Sequence, residues 1–233
     1  LSYGPLWTLL ASLTFRIASA LTGPDQLLPH VLAFKTQSIL FLLGTGWLLW
    51  KFNPRRQGLL SVIFYMGNPL VLFELVANGH NDGMMTFFLI ASILLLLRGR
   101  WESIPLYTAS LLVKPFPLII FPIMALFAIH RRVFSLKKLG IGAFAAAVLF
   151  TAAWYPFLDS PNVFEGILSG LQNANAIKTA SVSSLLSEVL VTLEYPPAAL
   201  TIQTITCIAI AVLAAFVLIE KYLRGEPLLR TIG

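Results

Sequence analysis

The chain has 233 residues, 58% of them hydrophobic and only 11% charged, with a mean hydropathy of +0.84. That is more apolar than one soluble core can bury, and it describes an integral membrane protein with no sizeable soluble domain. The 16 Lys and Arg against 10 Asp and Glu give a net +6, which in such a chain records membrane orientation rather than nucleic-acid binding; the single cysteine, Cys207, excludes an intrachain disulfide and a cysteine metal site.

In chain order, the stretch from Leu1 to Leu21 has an apolar body with Trp7 and Phe15 but carries Arg16. It is predicted to lie as an interfacial or re-entrant helix rather than to cross, so that residues 1–29 form that helix and an external loop. Apolar runs then predict seven crossings. Six make a bundle over 30–158: Val31 to Trp50, Gly58 to Ala77, Gly83 to Leu97, Ile104 to Val113, Phe116 to Ala128 and Leu139 to Phe157. An external loop over 159–199 follows, then a last span from Leu200 to Ile219 within 200–233, ending in a cytoplasmic tail. Three of the runs are short, since Gly83 to Leu97 spans only about 22 Å of a roughly 30 Å hydrocarbon layer. Their ends therefore sit inside the membrane zone or thin it locally. Asn68-Pro69 predicts a kink in the second span. The expected fold class is an all-α polytopic bundle of about seven spans plus one interfacial or re-entrant helix.

Basic residues set the orientation. Alternate loops carry Lys51, Arg55 and Arg56; Arg98 and Arg100; Arg131, Arg132, Lys137 and Lys138; and Lys221, Arg224 and Arg230, which is 12 of the 16 cations. These loops read as cytoplasmic, and the opposite ones hold Asp25, Asp82, Asp159, Glu165, Glu188 and Glu194. The same asymmetry makes Ile104 to Ala128 two short arms with an outer elbow at Lys114-Pro115, because one kinked helix would throw the Arg131 loop outside.

An ionisable group at membrane depth costs about 2.5–3.5 kcal/mol on insertion, so the few that occur are site candidates. Arg16, Lys35, Glu74, His80, Asp82 and Lys114 all fall towards the outer face. The turn Asn78-Gly79-His80-Asn81-Asp82 has two readings. In one, Asp82 caps the helix from Gly83, Gly79 takes a positive φ and the Asn side chains close the turn. In the other, His80 and Asp82 form an acid/base pair, while Asn78 and Asn81 offer amide donors and acceptors to a sugar. Lys114 is either a snorkelling cation or, because Pro115 and Pro117 break the helix there, a phosphate-binding lysine. Arg16 either grips phosphate or anchors lipid headgroups, and Glu74 is expected to pair with Lys114 or Lys35. Glu74, His80 and Asp82 are donor types that suit a divalent cation, but their spacing is not diagnostic, and no metal or other cofactor is assigned. No nucleotide-binding loop or nucleophilic triad spacing is present in the sequence.

The run from Asn68 to Asp82, followed by a span and then Leu112-Val113-Lys114-Pro115-Phe116-Pro117, resembles the polyprenol-phosphate-mannose-dependent mannosyltransferases of the GT-C superfamily. Tyr3-Gly4-Pro5-Leu6-Trp7 is similar to the Tyr-x-Pro segment near the end of that family's first external loop. The resemblance implies transfer of a sugar, mannose, from a polyprenyl-phosphate donor to a lipid- or glycan-linked acceptor. The reaction would be an inverting displacement without a nucleotide donor, on the external face of a prokaryotic plasma membrane. It implies Lys114 with Arg16 or Lys35 on the donor phosphate, Tyr3, Glu74, Asn78 and Asn81 on substrate, and His80 and Asp82 assisting proton transfer. The family's usual carboxylate base would lie before Leu1. Because the chain opens on Leu and stops at Gly233 without a closing motif, it reads as an incomplete form. The rival readings are a transporter or lipid flippase, whose path would need polar residues in both membrane halves, and a noncatalytic membrane subunit, which leaves the outer cluster unexplained.

Overall fold

The computed structural model describes residues 4–52 and 55–158. Tyr3, the expected external loop over 159–199 and the last expected span lie outside the described residues. Within them the chain is helical throughout. The helices are α1 Pro5–Thr22, α2 Leu27–Phe52, α3 Arg55–Met66, α4 Pro69–Val71, α5 Asp82–Leu97, α6 Ser103–Val113, α7 Phe121–His130 and α8 Leu136–Trp154. A π-helical turn at Leu72–Ala77 continues α4, a 3-10 segment at Phe116–Ile120 leads into α7, and another at Tyr155–Phe157 ends α8.

Two helices, Leu27–Phe52 and Leu136–Phe157, are long and apolar enough to cross a membrane. A third span results if Arg56–Met66 and Pro69–Ala77, bent by 53°, act as one. The expectation of seven crossings is thus met only in part, because Asp82–Leu97, Ser103–Val113 and Phe116–His130 are apolar but short. The single crossing expected over Gly58 to Ala77 is a broken one. Pro69 has no N–H for the turn before it, and the Asn68 carboxamide oxygen restarts the helix by accepting from the Leu70 N–H at 2.9 Å.

The helices pack through small and hydroxyl-bearing residues, which let backbones approach and hand their hydrogen bonds to nearby carbonyls. Ser92 of α5 donates to the Ser103 carbonyl of α6 at 2.7 Å, and both residues are buried. Thr45 donates to the Phe41 carbonyl and Ser110 to the Tyr107 carbonyl, so neither buried hydroxyl is left unpaired. Phe41 of α2 meets Phe87 and Phe88 of α5 at ring separations of 5.6 and 6.0 Å. Thr14 of α1 donates to Gln37 of α2. Large apolar side chains instead line the outside, with Leu136 89% and Phe64 76% exposed. Such a surface is compatible with contact to lipid.

At the start of α1, Gly4 lies directly against the end of α6, and its N–H donates to the Val113 carbonyl at 3.2 Å. A Cβ at Gly4 would collide with the Leu112 carbonyl oxygen, so Gly4→Ala forces two backbones apart. It is expected to cost about 1–3 kcal/mol, read as a lower thermal unfolding midpoint in nanodiscs; an unchanged midpoint would mean that the two backbones do not touch. Ser92→Ala removes one buried bond and is expected to cost about 0.5–1.5 kcal/mol in the same assay, whereas a midpoint at or above that of the parent chain would show that the α5–α6 contact does not depend on it.

Candidate functional site

The site is made by two helix ends. Helix α6 stops at Val113 because Pro115 supplies no N–H and drives the residue before it out of the helical region. Lys114 is accordingly extended, at φ −157° and ψ 138°. The chain then folds back along α6. The Tyr107 hydroxyl donates to the Pro117 carbonyl at 2.9 Å, and its ring stacks on Phe121 with centroids 6.0 Å apart. The helix break expected at Lys114-Pro115 is present.

The other end is the start of α5. The Asn78 N–H closes on the Phe73 carbonyl and the His80 N–H on the Glu74 carbonyl, and Gly79 turns the chain at φ +67°, a value that a side chain would strain. The Asn81 carbonyl accepts from the N–H groups of both Met84 and Met85. Asn81 therefore caps the helix through its backbone, and the expectation of Asp82 as the cap is corrected: Asp82 already stands in the first turn. Its carboxylate is spent on Lys114, whose Nζ lies 2.6 Å from Asp82 Oδ1. The two side chains are 39% and 40% exposed, so the pair is open to solvent or ligand.

The pairing expected for Glu74 is also corrected. Its Oε2 is 3.3 Å from His80 Nε2 and accepts from Asn78 Nδ2 at 3.4 Å, rather than meeting Lys114 or Lys35. Glu74 and Asn78 are four residues apart and share one helical face, which makes the local partner the accessible one. The trio offered for a divalent cation is split in consequence. Glu74 and His80 engage each other, Asp82 engages Lys114, and among the described residues no three of His, Cys, Asp and Glu gather to hold a metal ion. Arg16 is exposed on α1 and Lys35 half-buried on α2. Neither has an ion-pair partner among the described residues.

Asn81 is 4% exposed, and its Nδ2 has no hydrogen-bond partner. The N–H groups of Asp82 and Gly83 also have no acceptor among the described residues, as the first turn of any helix leaves them. A lysine ammonium, an open helix start with its positive dipole end and a buried amide donor thus belong to one short stretch of structure, a set suited to an oxyanion. Beneath it, Met84, Met85 and Val113 form an apolar cluster with Leu6, Trp7, Leu10, Phe41 and Phe88, so the two helix ends stand on a packed base. Two positions had no role in the sequence reading. Gly4 ties α1 to the end of α6, and its signal was the Gly-Pro step that opens a helix. His30 is buried between α1 and α2. Its Nδ1–H donates to the Gln26 carbonyl at 2.6 Å, which leaves Nε2 to accept from the Ser19 hydroxyl at 2.9 Å; nothing in its spacing indicated this.

Residues 1–130 match the family described as alpha-(1->6)-mannopyranosyltransferase, N-terminal domain. The chain is similar to alpha-(1->6)-mannopyranosyltransferase B of Corynebacterium glutamicum, at 28% identity over 99 residues, which cover 42% of this chain and 16% of that relative. No solved structure matches. The matched region contains both helix ends, with Asp82 and Lys114, and more than half of the chain. The chain belongs to the MptA_B family of alpha-(1->6)-mannopyranosyltransferases.

Proposed function

We propose that the chain forms part of an integral-membrane glycosyltransferase that moves mannose from a polyprenyl-phosphate carrier to a lipid- or glycan-linked acceptor. The reaction takes place on the external face of a prokaryotic plasma membrane, where the basic loops at the opposite end of α5 and α6 orient the site. The observation that carries this reading is the meeting of Lys114 with the open start of α5 at a partly exposed position in the matched region. An acceptor oxygen attacks the sugar's anomeric carbon as the carrier phosphate departs with the bonding electrons, and charge builds on the phosphate. Lys114 and the positive end of α5 lie where that charge is stabilised.

The remaining residues take supporting roles. Asn81 and His80 bind the sugar hydroxyls and His80 assists proton transfer, while Asp82 is paired with Lys114. Glu74 holds His80 in place through their contact, and Asn78 steadies Glu74. Arg16 and Lys35, on the neighbouring hairpin of α1 and α2, attract the anionic donor.

The test is mannose transfer from radiolabelled polyprenyl-phosphate mannose, using the full-length enzyme in membranes. Lys114→Ala is expected to lower kcat by about 10²–10³, the range for losing one preorganised donor to developing negative charge. Lys114→Arg should recover part of the loss. Unchanged turnover in Lys114→Ala would overturn the phosphate assignment.

A further inference from the structure

We propose that Asp82 is an internal stand-in for the donor phosphate, so that donor capture is an ion-pair exchange on Lys114. The inference rests on the phosphate reading of Lys114 given above and adds what the free protein does with that cation. Lys114 is already paired within the chain. Asp82 Oδ1 holds its Nζ at 2.6 Å. The carboxylate that does so belongs to the first turn of α5, whose N–H groups at Asp82 and Gly83 have no acceptor among the described residues. It therefore occupies the place that favours an anion twice over, through the lysine and through the dipole end of the helix.

A phosphate that takes Lys114 must meet the Asp82 carboxylate. Two anions on one ammonium repel at contact distance, so binding proceeds by displacing one of them. Three observations make the exchange feasible. Both partners are about two-fifths exposed, so an incoming oxyanion reaches the pair without unfolding its surroundings. The other carboxylate of this region, Glu74, is engaged by His80 and Asn78 and does not compete for Lys114. Asn81, the residue before Asp82, keeps a buried carboxamide NH₂ without an acceptor, so the same turn holds a donor that no group among the described residues uses. Asp82 is on this account a positioning residue. It holds the Lys114 ammonium in place and sets how strongly a ligand must compete for it.

The sign of one affinity change tests the proposal. Binding of a short-chain polyprenyl phosphate without sugar is measured on the full-length enzyme in nanodiscs, for the parent enzyme, Lys114→Ala and Asp82→Asn. A half-exposed ion pair is worth about 0.2–1 kcal/mol, so removing the competing carboxylate is expected to tighten binding by about 1.4- to fivefold. Asp82→Ser should do the same and serves if Asp82→Asn does not fold; Asp82→Glu, which keeps a competing charge, should stay near the parent value. Lys114→Ala should weaken binding. Equal or weaker binding in the neutral Asp82 variants, with Lys114→Ala still impaired, would overturn the exchange and leave the phosphate reading standing. Parent-like binding in Lys114→Ala would overturn both.

Discussion

Helix ends that stop inside an apolar bundle need partners for backbone groups that lipid cannot supply, and this constraint organises the structure around α5 and α6. Pro115 removes the N–H that would have extended α6, and Gly4 brings one from the start of α1 to the Val113 carbonyl. At the start of α5 the Asn81 carbonyl takes two N–H groups, which leaves those of Asp82 and Gly83 without acceptors. One end is closed by a distant segment and the other stays open towards Lys114. The apolar cluster of Met84, Met85 and Val113 lies between them and keeps them adjacent.

The two ends of the α5–α6 pair differ in charge chemistry. At one end a single cation meets a single carboxylate, Lys114 and Asp82. At the other, Arg98 lies 3.9 Å from the Phe52 ring centroid, Lys138 Nζ donates to the Gly99 carbonyl at 2.9 Å, and Arg100 pairs with Glu102. The Arg100 guanidinium holds the Glu102 carboxyl below the usual carboxylate range, chiefly through their hydrogen bonds. These cations surround the C-terminal end of α5, where the helix dipole favours them. Helix direction and charge placement thus agree: the negative dipole end of α5 faces a cation-rich rim, and its positive end faces the pair that a ligand can open.

Much of this was legible from residue order. The apolar runs located the helices because burial against neighbours or lipid requires continuous apolar faces. Proline chemistry located the break at Asn68-Pro69 and the elbow at Lys114-Pro115, and Gly79 marked the turn before α5. What sequence reasoning could not supply was partner choice. Glu74 and Asp82 are both carboxylates near one lysine in the sequence pattern, but the π-helical turn at Leu72–Ala77 and the turn after it leave Glu74 beside His80 and Asp82 beside Lys114. Asn81 rather than Asp82 capping α5 is likewise decided by backbone geometry in a five-residue turn. The role of Gly4 depends on a contact between segments far apart in the chain, which no local pattern encodes.

That last contact bears on how the protein is made. The Val113 carbonyl emerges from the ribosome roughly a hundred residues after Gly4, which at about 5–20 residues per second is on the order of ten seconds. Throughout that interval the beginning of α1 must be kept free of other backbone acceptors, then find its place against α6 after the intervening helices have been inserted. Membrane assembly of this segment is in that respect a ring closure: α1 can pair with α2 early, but the elbow that carries Lys114 takes its final shape only when the start of α1 meets it.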